Sequence, residues 1–404
     1  MRILQINCVY GSGSTGKITR DIHFGLLKNG IESFVCYGRG RDTEDKNVIR
    51  TASEFMSKVR RMESMIDGMP YRFARWTNKK IESEINRIDP DIVHLQCTNG
   101  FFVDIYRLLI FLKEKRVPTI ITLHAEFMYT GGCGYAVKCD QWENGCTKCG
   151  RLKSGLGVIG LDRVRKNYEL MFDAIHGFAN LTIVGVSDWI SHRALKSRIM
   201  RDCKVITIHN GIETQKVFHP QGTQKVKEKY NLDSNRHIIL SVVPNLESDL
   251  KGGKVMMELA RLMDASQYQF VVVGAREEVT VKPDNMVVIP YTESQNELSE
   301  LYSVADVFVI GSKMDNYPTV CIEANSCGTP VVGFDVGGVS ETIYPGMGEV
   351  VPYGEMENLI RCINKWSELK HSIQEELIAA VIQRNSKERM VEDYMDLYDR
   401  VLEG

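Results

Sequence analysis

The chain has 404 residues, 43% of them hydrophobic and 25% charged, and a formal net charge of −2 at pH 7. That length suits two domains of ordinary size and the composition is that of a soluble globular enzyme, while the balanced charge gives no overall attraction to nucleic acid or to an anionic membrane. No stretch approaches the ~20 apolar residues that span a bilayer, and the N-terminus MRILQINCVYGSG lacks the parts of a signal peptide, so a cytoplasmic protein is expected.

The first apolar run, ILQINCV (3–9), leads into Gly11-Ser12-Gly13-Ser14-Thr15-Gly16-Lys17 and a helical pattern near 16–29. The string fits the dinucleotide fingerprint G-x-G-x-x-G. That fingerprint needs an acid at the end of the second strand, SFVCYG (33–38), and Tyr37-Gly38-Arg39 supplies none. The string also approaches the phosphate loop G-x-x-x-x-G-K-[ST], but Ile18 stands where the Mg²⁺-binding hydroxyl belongs. A third reading asks less. Gly13 and Gly16 form a turn at a helix N-terminus, where backbone N–H groups meet an anion such as a diphosphate. A tight turn without a ligand is the bland alternative.

The runs IVHLQC (92–97), TIITLH (119–124), LTIVGVS (181–187) and KVITIH (204–209) follow, with helical patterns near 78–88, 103–115 and 162–177. They are apolar at nearly every position, the mark of a parallel sheet covered on both faces. Ligands of such sheets bind beyond the carboxyl ends of the strands, which singles out His124. Asp89-Pro90-Asp91 spells an Asp-x-Asp metal motif, but it precedes its strand and reads as a turn. No other acid cluster suits Mg²⁺.

Cys133, Cys139, Cys146 and Cys149 lie in one short loop, spaced C-x5-C-x6-C-x2-C. Four thiols so close together, the last pair flanked by glycines, favour a structural zinc in a reducing compartment. Disulfides or free thiols are the alternatives.

HNGIETQKVFHPQG (209–222) carries two glycines, a proline and many polar residues, and reads as an interdomain linker. The alternation then restarts with HIILSVV (237–243), FVVVG (270–274), MVVIP (286–290), DVFVIG (306–311), PVVGF (330–334) and EVVPY (349–353). Helices are expected near 252–264, 294–303, 318–327 and 355–367, and a charged helical stretch over 372–402. The fold class is α/β: two Rossmann-like, doubly wound parallel-sheet domains, with ligands expected in a cleft where the two face each other.

The most informative segment is GSKMDNYPTVCIEANSCGTPVVGFDVGGVSE (311–341). Asp315 and Asn316 fall in a loop after a strand, Pro318 suits the first turn of a helix, and Glu323 falls in its second turn. Two carboxylates so placed can accept bonds from sugar hydroxyls. Gly337-Gly338 offers a second backbone turn.

This segment resembles the signature of the retaining glycosyltransferases of family 4, which have the two-domain GT-B fold. Asp315, Glu323-Ala324 and Gly328-Thr329-Pro330-Val331-Val332 match its acid, Glu-Ala and Gly-x-Pro-Val-Val positions. The Asp-Asn-x-Pro version is similar to a branch making bacterial exopolysaccharides and capsules, of the colanic-acid type. HNGIETQKVFHP resembles the family's linker and VGVSDWI (184–190) one of its strand ends. The resemblance implies a nucleoside-diphosphate sugar, UDP- or GDP-linked, as donor. It implies a saccharide or lipid-linked oligosaccharide as acceptor, no catalytic metal, and work at the inner face of the membrane. Glu323 would hold the ribose and Asp315 the donor sugar, with backbone and side chains of Asn316, Tyr317, Pro318 and Thr319 contributing. His124 would contact the donor sugar or the reacting centre. Lys251, of Lys251-Gly252, would neutralise the diphosphate. The family's accompanying Arg is absent: Pro244 and Asn245 hold its positions, leaving Lys254 or Lys17 to compensate. Residues 1–209 would form the acceptor-side domain, with a Cys-rich insertion at 131–150. Residues 210–385 would form the donor domain, and 386–404 a helix packing back on the first. An epimerase or phosphorylase of the same fold, or a non-catalytic nucleotide-sugar-binding protein, is the rival reading. Lys58, Arg60, Arg61, Lys113, Lys115 and Arg116 could meet anionic lipid, although solvated helix faces are the simpler reading.

Overall fold

TIITL and LTIVG are dominated by aliphatic side chains, and every position of both, threonines included, is buried. The computed structural model describes residues 1–275 and 281–403. It divides into two units, one of Met1–His209 plus the chain from Met390 on, the other of Asn210–Arg389.

The first unit holds a parallel sheet of β1 (Arg2–Asn7), β2 (Glu32–Tyr37), β3 (Val48–Arg50), β4 (Ile92–Leu95), β5 (Thr119–Leu123), β6 (Leu181–Gly185) and β7 (Lys204–Thr207). Their order is β3-β2-β1-β4-β5-β6-β7, with Ile3 opposite Ser33 on one side and Ile92 on the other. Its helices are α1 (Gly13–Lys28), α2 (Glu54–Asp67), α3 (Arg75–Ile88), α4 (Ile105–Lys115), α5 (Leu152–Leu156), α6 (Val164–Ile175) and α7 (Asp188–Lys196). The expected strands recur with ends shifted by a few residues. The three-residue β3 and the helices α5 and α7 were not foreseen, and α2 was expected only as a solvated helix face around Lys58, Arg60 and Arg61.

The second unit carries β8 (His237–Val242), β9 (Tyr268–Val273), β10 (Met286–Ile289), β11 (Val307–Ile310), β12 (Val331–Phe334) and β13 (Gly348–Val351), in the order β10-β9-β8-β11-β12-β13. Its helices are α8 (Gln224–Tyr230), α9 (Gly253–Leu262), α10 (Gln295–Val304), α11 (Thr319–Ser326), α12 (Met356–Leu369) and α13 (Glu375–Arg384). A last helix, α14 (Lys387–Glu403), returns the chain to the first unit. There Met390, Tyr394 and Leu397 join Ile3, Ile22 and Ile92 in one apolar cluster. Burial of each such aliphatic side chain contributes roughly 1.5–3 kcal/mol. Polar groups lock the same contact: His94, fully buried, is bonded to the hydroxyls of Tyr398 and Thr122 at 2.7 Å each.

Both sheets reverse strand order once, between β1 and β4 and between β8 and β11. Such reversals open a crevice at the carboxyl ends of the strands.

Candidate functional site

In the second unit, the loops after β8 and β11 meet at that reversal. Gly252 has φ +80, and a Cβ there would lie 2.4 Å from the carbonyl carbon of Gly311. Only glycine allows this approach, which carries Lys251 to the end of β11. Its ammonium donates to Asp315 Oδ2 at 2.7 Å. Asp315 is held from behind, its carbonyl accepting the Gly338 N–H at 3.0 Å. A Cβ at Gly337, φ +61, would lie 1.9 Å from that carbonyl oxygen. The sequence-predicted cation and acid therefore touch each other, and Gly337-Gly338 serves to seat the acid.

Pro318 is the N-cap of α11, and Glu323 lies one turn in. The Glu323 carboxylate is nearly buried and accepts the Tyr302 hydroxyl at 2.9 Å. Asn316 and Tyr317 are buried beside it, and Thr319 opens the helix. Burial raises the Tyr317 phenol to about 12, keeping it a neutral donor. Burial chiefly, then the charges of Asp315 and Glu323, raise the Cys321 thiol against the pull of Thr342 and Lys251. One buried sulfur thus senses both acids and the lysine.

The cations proposed to stand in for the missing Arg fare differently. Lys254 pairs with Asp249 at 3.3 Å on the exposed surface. Asn245 caps its own turn, its Oδ1 accepting the Glu247 N–H at 2.6 Å. Lys17 lies on α1, in the other unit.

In the first unit, Asn7 organises the glycine loop. Its side-chain amide donates to the carbonyls of Val9 and Thr15 and to the Thr19 hydroxyl at 2.8–3.2 Å. The Gly11 N–H is bonded to the Gly16 carbonyl at 2.9 Å, so the loop closes on itself. Gly16 is buried against Val9, and Gly13, φ +65, is exposed with open space around it.

His124 follows β5 and donates from Nε2 to Gln96 Oε1 at 2.9 Å. Gln96 is held in turn by Gln5 at 3.2 Å. The residue keeps partial access to solvent, yet loss of hydration around the ring lowers its pKa to about 4. The ring is therefore neutral near pH 7, with its lone pair on Nδ1. Gln96 and Asn7 escaped the sequence reading; both sit just where β4 and β1 end.

Asp89 ends α3 in the left-handed region, and Asp91 accepts the Arg2 N–H at 2.6 Å. The Asp-x-Asp string is a turn pinned to β1.

The cysteine loop is anchored by protein groups. Buried Glu126 accepts the Ala136 N–H at 2.6 Å and the Arg193 Nε–H at 2.8 Å. Trp142 Nε1 donates to the Cys139 carbonyl at 2.6 Å, and the Tyr71 hydroxyl to that of Gly132 at 2.8 Å. All four cysteines are free, and no three of their sulfurs lie within 4.8 Å of one another. Burial raises the thiols of Cys133 and Cys146 to about 11 and about 12.

Residues 15–216, half of the chain, match the family described as Glycosyltransferase Family 4. The chain belongs to that family. Residues 222–385 of this glycosyltransferase also match the family described as Glycosyl transferases group 1. It is 22% identical to the putative colanic acid biosynthesis glycosyl transferase WcaC of Escherichia coli, over 99% of this chain and 100% of the relative. It is 24% identical to the N,N'-diacetylbacillosaminyl-diphospho-undecaprenol alpha-1,3-N-acetylgalactosaminyltransferase of Campylobacter jejuni, over 63% of this chain and 70% of the relative. Among solved structures, Anabaena HepE in complex with UDP-glucose superposes with a TM-score of 0.65 at 13% identity, covering 99% of this chain and 100% of the other. The two Rossmann-like units are those of the GT-B glycosyltransferases.

Proposed function

We propose that this glycosyltransferase moves a sugar from a nucleoside diphosphate to a hydroxyl of a lipid-linked saccharide. Transfer proceeds with retention at the anomeric carbon, in the building of an exopolysaccharide or capsule. The observation that carries the reading is the Lys251–Asp315 pair at the β8–β11 reversal, with Glu323 on the adjoining helix. Glu323 binds the ribose hydroxyls and Asp315 those of the sugar. Asn316 to Thr319 present the amino end of α11 to the donor. Lys251 neutralises the diphosphate as the bond to the anomeric carbon breaks. The leaving phosphate helps to take the acceptor proton, since among the described residues no carboxylate is set as a nucleophile. His124 and the loop of Gly13 and Gly16 are assigned to the sugar and its phosphates. The C. jejuni relative's name describes a diphospho-undecaprenol-linked sugar as its acceptor, and a lipid-borne acceptor of that kind supports a place at the inner face of a membrane.

A panel of UDP- and GDP-sugars should contain one that raises the melting temperature and is consumed when acceptor is added. Glu323→Ala should then weaken donor binding about 10–100-fold, the worth of bonds to a charged acceptor, with an unchanged circular dichroism spectrum. Donor binding equal to the wild type would remove Glu323 from the site. A new sugar-nucleotide isomer formed without acceptor would favour an epimerase.

The reading extends to a structural zinc held by Cys133, Cys139, Cys146 and Cys149. Their spacing supports it, as does the Gly131 N–H directed at Cys146 Sγ at 3.2 Å. Zinc would draw the sulfurs together and lower their raised pKa values. Protein purified without chelators should carry one zinc per chain, and a chain without zinc would leave the loop to its protein anchors alone.

A further inference from the structure

Helix α2 is built inside out. Its buried residues are Ser57, Arg60 and Ser64, all polar. Phe55, Met62 and Ile66 are 71%, 66% and 66% exposed. These three fall at i, i+7 and i+11, one stripe of a helix, and it points to solvent. A helix that packs on a core does the opposite.

The apolar surface continues past the helix. Trp76, in the first turn of α3, is 79% exposed, and Phe73 is also exposed. Ile159 and Leu161, exposed as well, belong to a segment stitched to the last turn of α2. Their N–H groups donate to the carbonyls of Met65 and Ile66 at 2.8 and 2.9 Å. Met56, Arg60, Glu63, Ile66, Phe73 and Trp76 line a groove of ≈ 630 Å³ here. Contiguous apolar surface of this kind marks an interaction site.

Charge selects the occupant. Residues 54–80 hold seven Lys and Arg against three Asp and Glu, in a chain whose net charge is −2. Lys58, Arg61, Arg75 and Lys79 are exposed around the apolar stripe. Arg72 lies over the Phe73 ring at 4.9 Å and Lys79 over Trp76 at 5.6 Å, so cations and aromatics share one face. Apolar side chains that enter the headgroup region, ringed by cations that meet anionic headgroups, describe a helix lying in a membrane surface. A two-fold contact between copies would instead set this positive rim against itself.

We propose that α2, the start of α3 and the 159–161 segment form the surface by which the first unit docks on an anionic bilayer. The inference deepens the lipid-linked acceptor reading and rests on it for its purpose, but docking can be measured without turnover. Flotation with vesicles of phosphatidylglycerol and phosphatidylethanolamine should carry the wild-type chain. Vesicles of phosphatidylcholine alone should not, and added salt should release it. The triple variant Phe55→Ser, Met62→Ser, Ile66→Ser should stay in solution, with the thermal midpoint and soluble-acceptor turnover of the wild type. Lys58→Gln with Arg61→Gln should reduce partitioning roughly five-fold for each cation removed. The proposal falls if the wild-type chain ignores anionic vesicles, or if the triple variant floats as the wild type does. It falls equally if light scattering finds a dimer that the triple variant abolishes without any vesicle binding, because the face is then a self-contact. Vesicle binding by a chain that turns over no sugar nucleotide would keep the surface and sink the transferase reading.

Discussion

Lys251→Ala is expected to lower kcat by about 10²–10³-fold, the usual cost of removing a group aimed at charge that develops in the transition state. The reason lies in the β8–α9 loop. Where the family resemblance calls for an arginine, the chain has Pro244 and Asn245, and Asn245 caps its own turn. Lys254 is engaged with Asp249 at the surface. The leaving diphosphate gains charge as its bond to the sugar breaks, and Lys251 is the cation that the Gly252–Gly311 contact brings to the β11 end. It waits on Asp315 at 2.7 Å, so donor binding must share it between carboxylate and phosphate. Because that demand peaks in the transition state, kcat should fall more than KM rises. Lys251→Arg, which keeps the charge on a different geometry, should recover part of the rate. The pair is partly exposed, so neither variant should unfold the unit. An alanine variant with the kcat of the wild type would hand the leaving group to another residue.

Much of this arrangement could be read from the sequence, for a physical reason. Parallel strands buried on both faces must be apolar along their length, so TIITL and VFVI announce themselves without a partner. The acid, proline, glutamate and glycines of 311–341 are legible because one loop, one helix start and one turn hold them within a single contiguous stretch. What escaped depends on distance along the chain or on an inverted pattern. The Val48–Arg50 strand is too short to show alternation. In α2 the apolar stripe faces outward, so no neighbouring element answers it. The helical stretch over 372–402 divides at Asn385-Ser386, the boundary drawn between the donor domain and the last helix; what the sequence did not show is that the Ile212 backbone bonds there, accepting from Lys387 and donating to Asn385 at 2.8 Å each. Gln96 behind His124, and Asp315 beneath Lys251, are pairings 28 and 64 residues apart. No local spacing reports them.

The same blindness covers the pair expected to matter most for stability. Arg193→Ala should destabilise the first unit by about 3–5 kcal/mol, the cost of leaving one member of a buried ion pair alone. Glu126 is fully buried, two residues beyond His124. One of its oxygens accepts Arg193 at 2.8 Å and the Tyr129 hydroxyl at 3.0 Å; the other accepts the Ala136 N–H at 2.6 Å. Burial works against the Arg193 charge, yet Glu126 and Tyr129 more than offset it and hold the guanidinium firmly protonated. Its plane also covers the rings of Trp142 and Trp189, at 4.5 and 4.9 Å. Alanine removes both the charge and this cover. The carboxylate must then take up a proton or draw in water, and the Ala136 bond that fastens the cysteine loop loosens with it. Urea unfolding followed by tryptophan fluorescence should show the loss as an early transition, with the second unit unfolding separately. Adding Glu126→Gln should restore part of the stability, since a neutral amide needs no counter-charge. If Arg193→Ala unfolds at the wild-type midpoint, Glu126 has another partner, and the cysteines themselves, drawn together on a metal, become the better account of what fixes the loop beside His124.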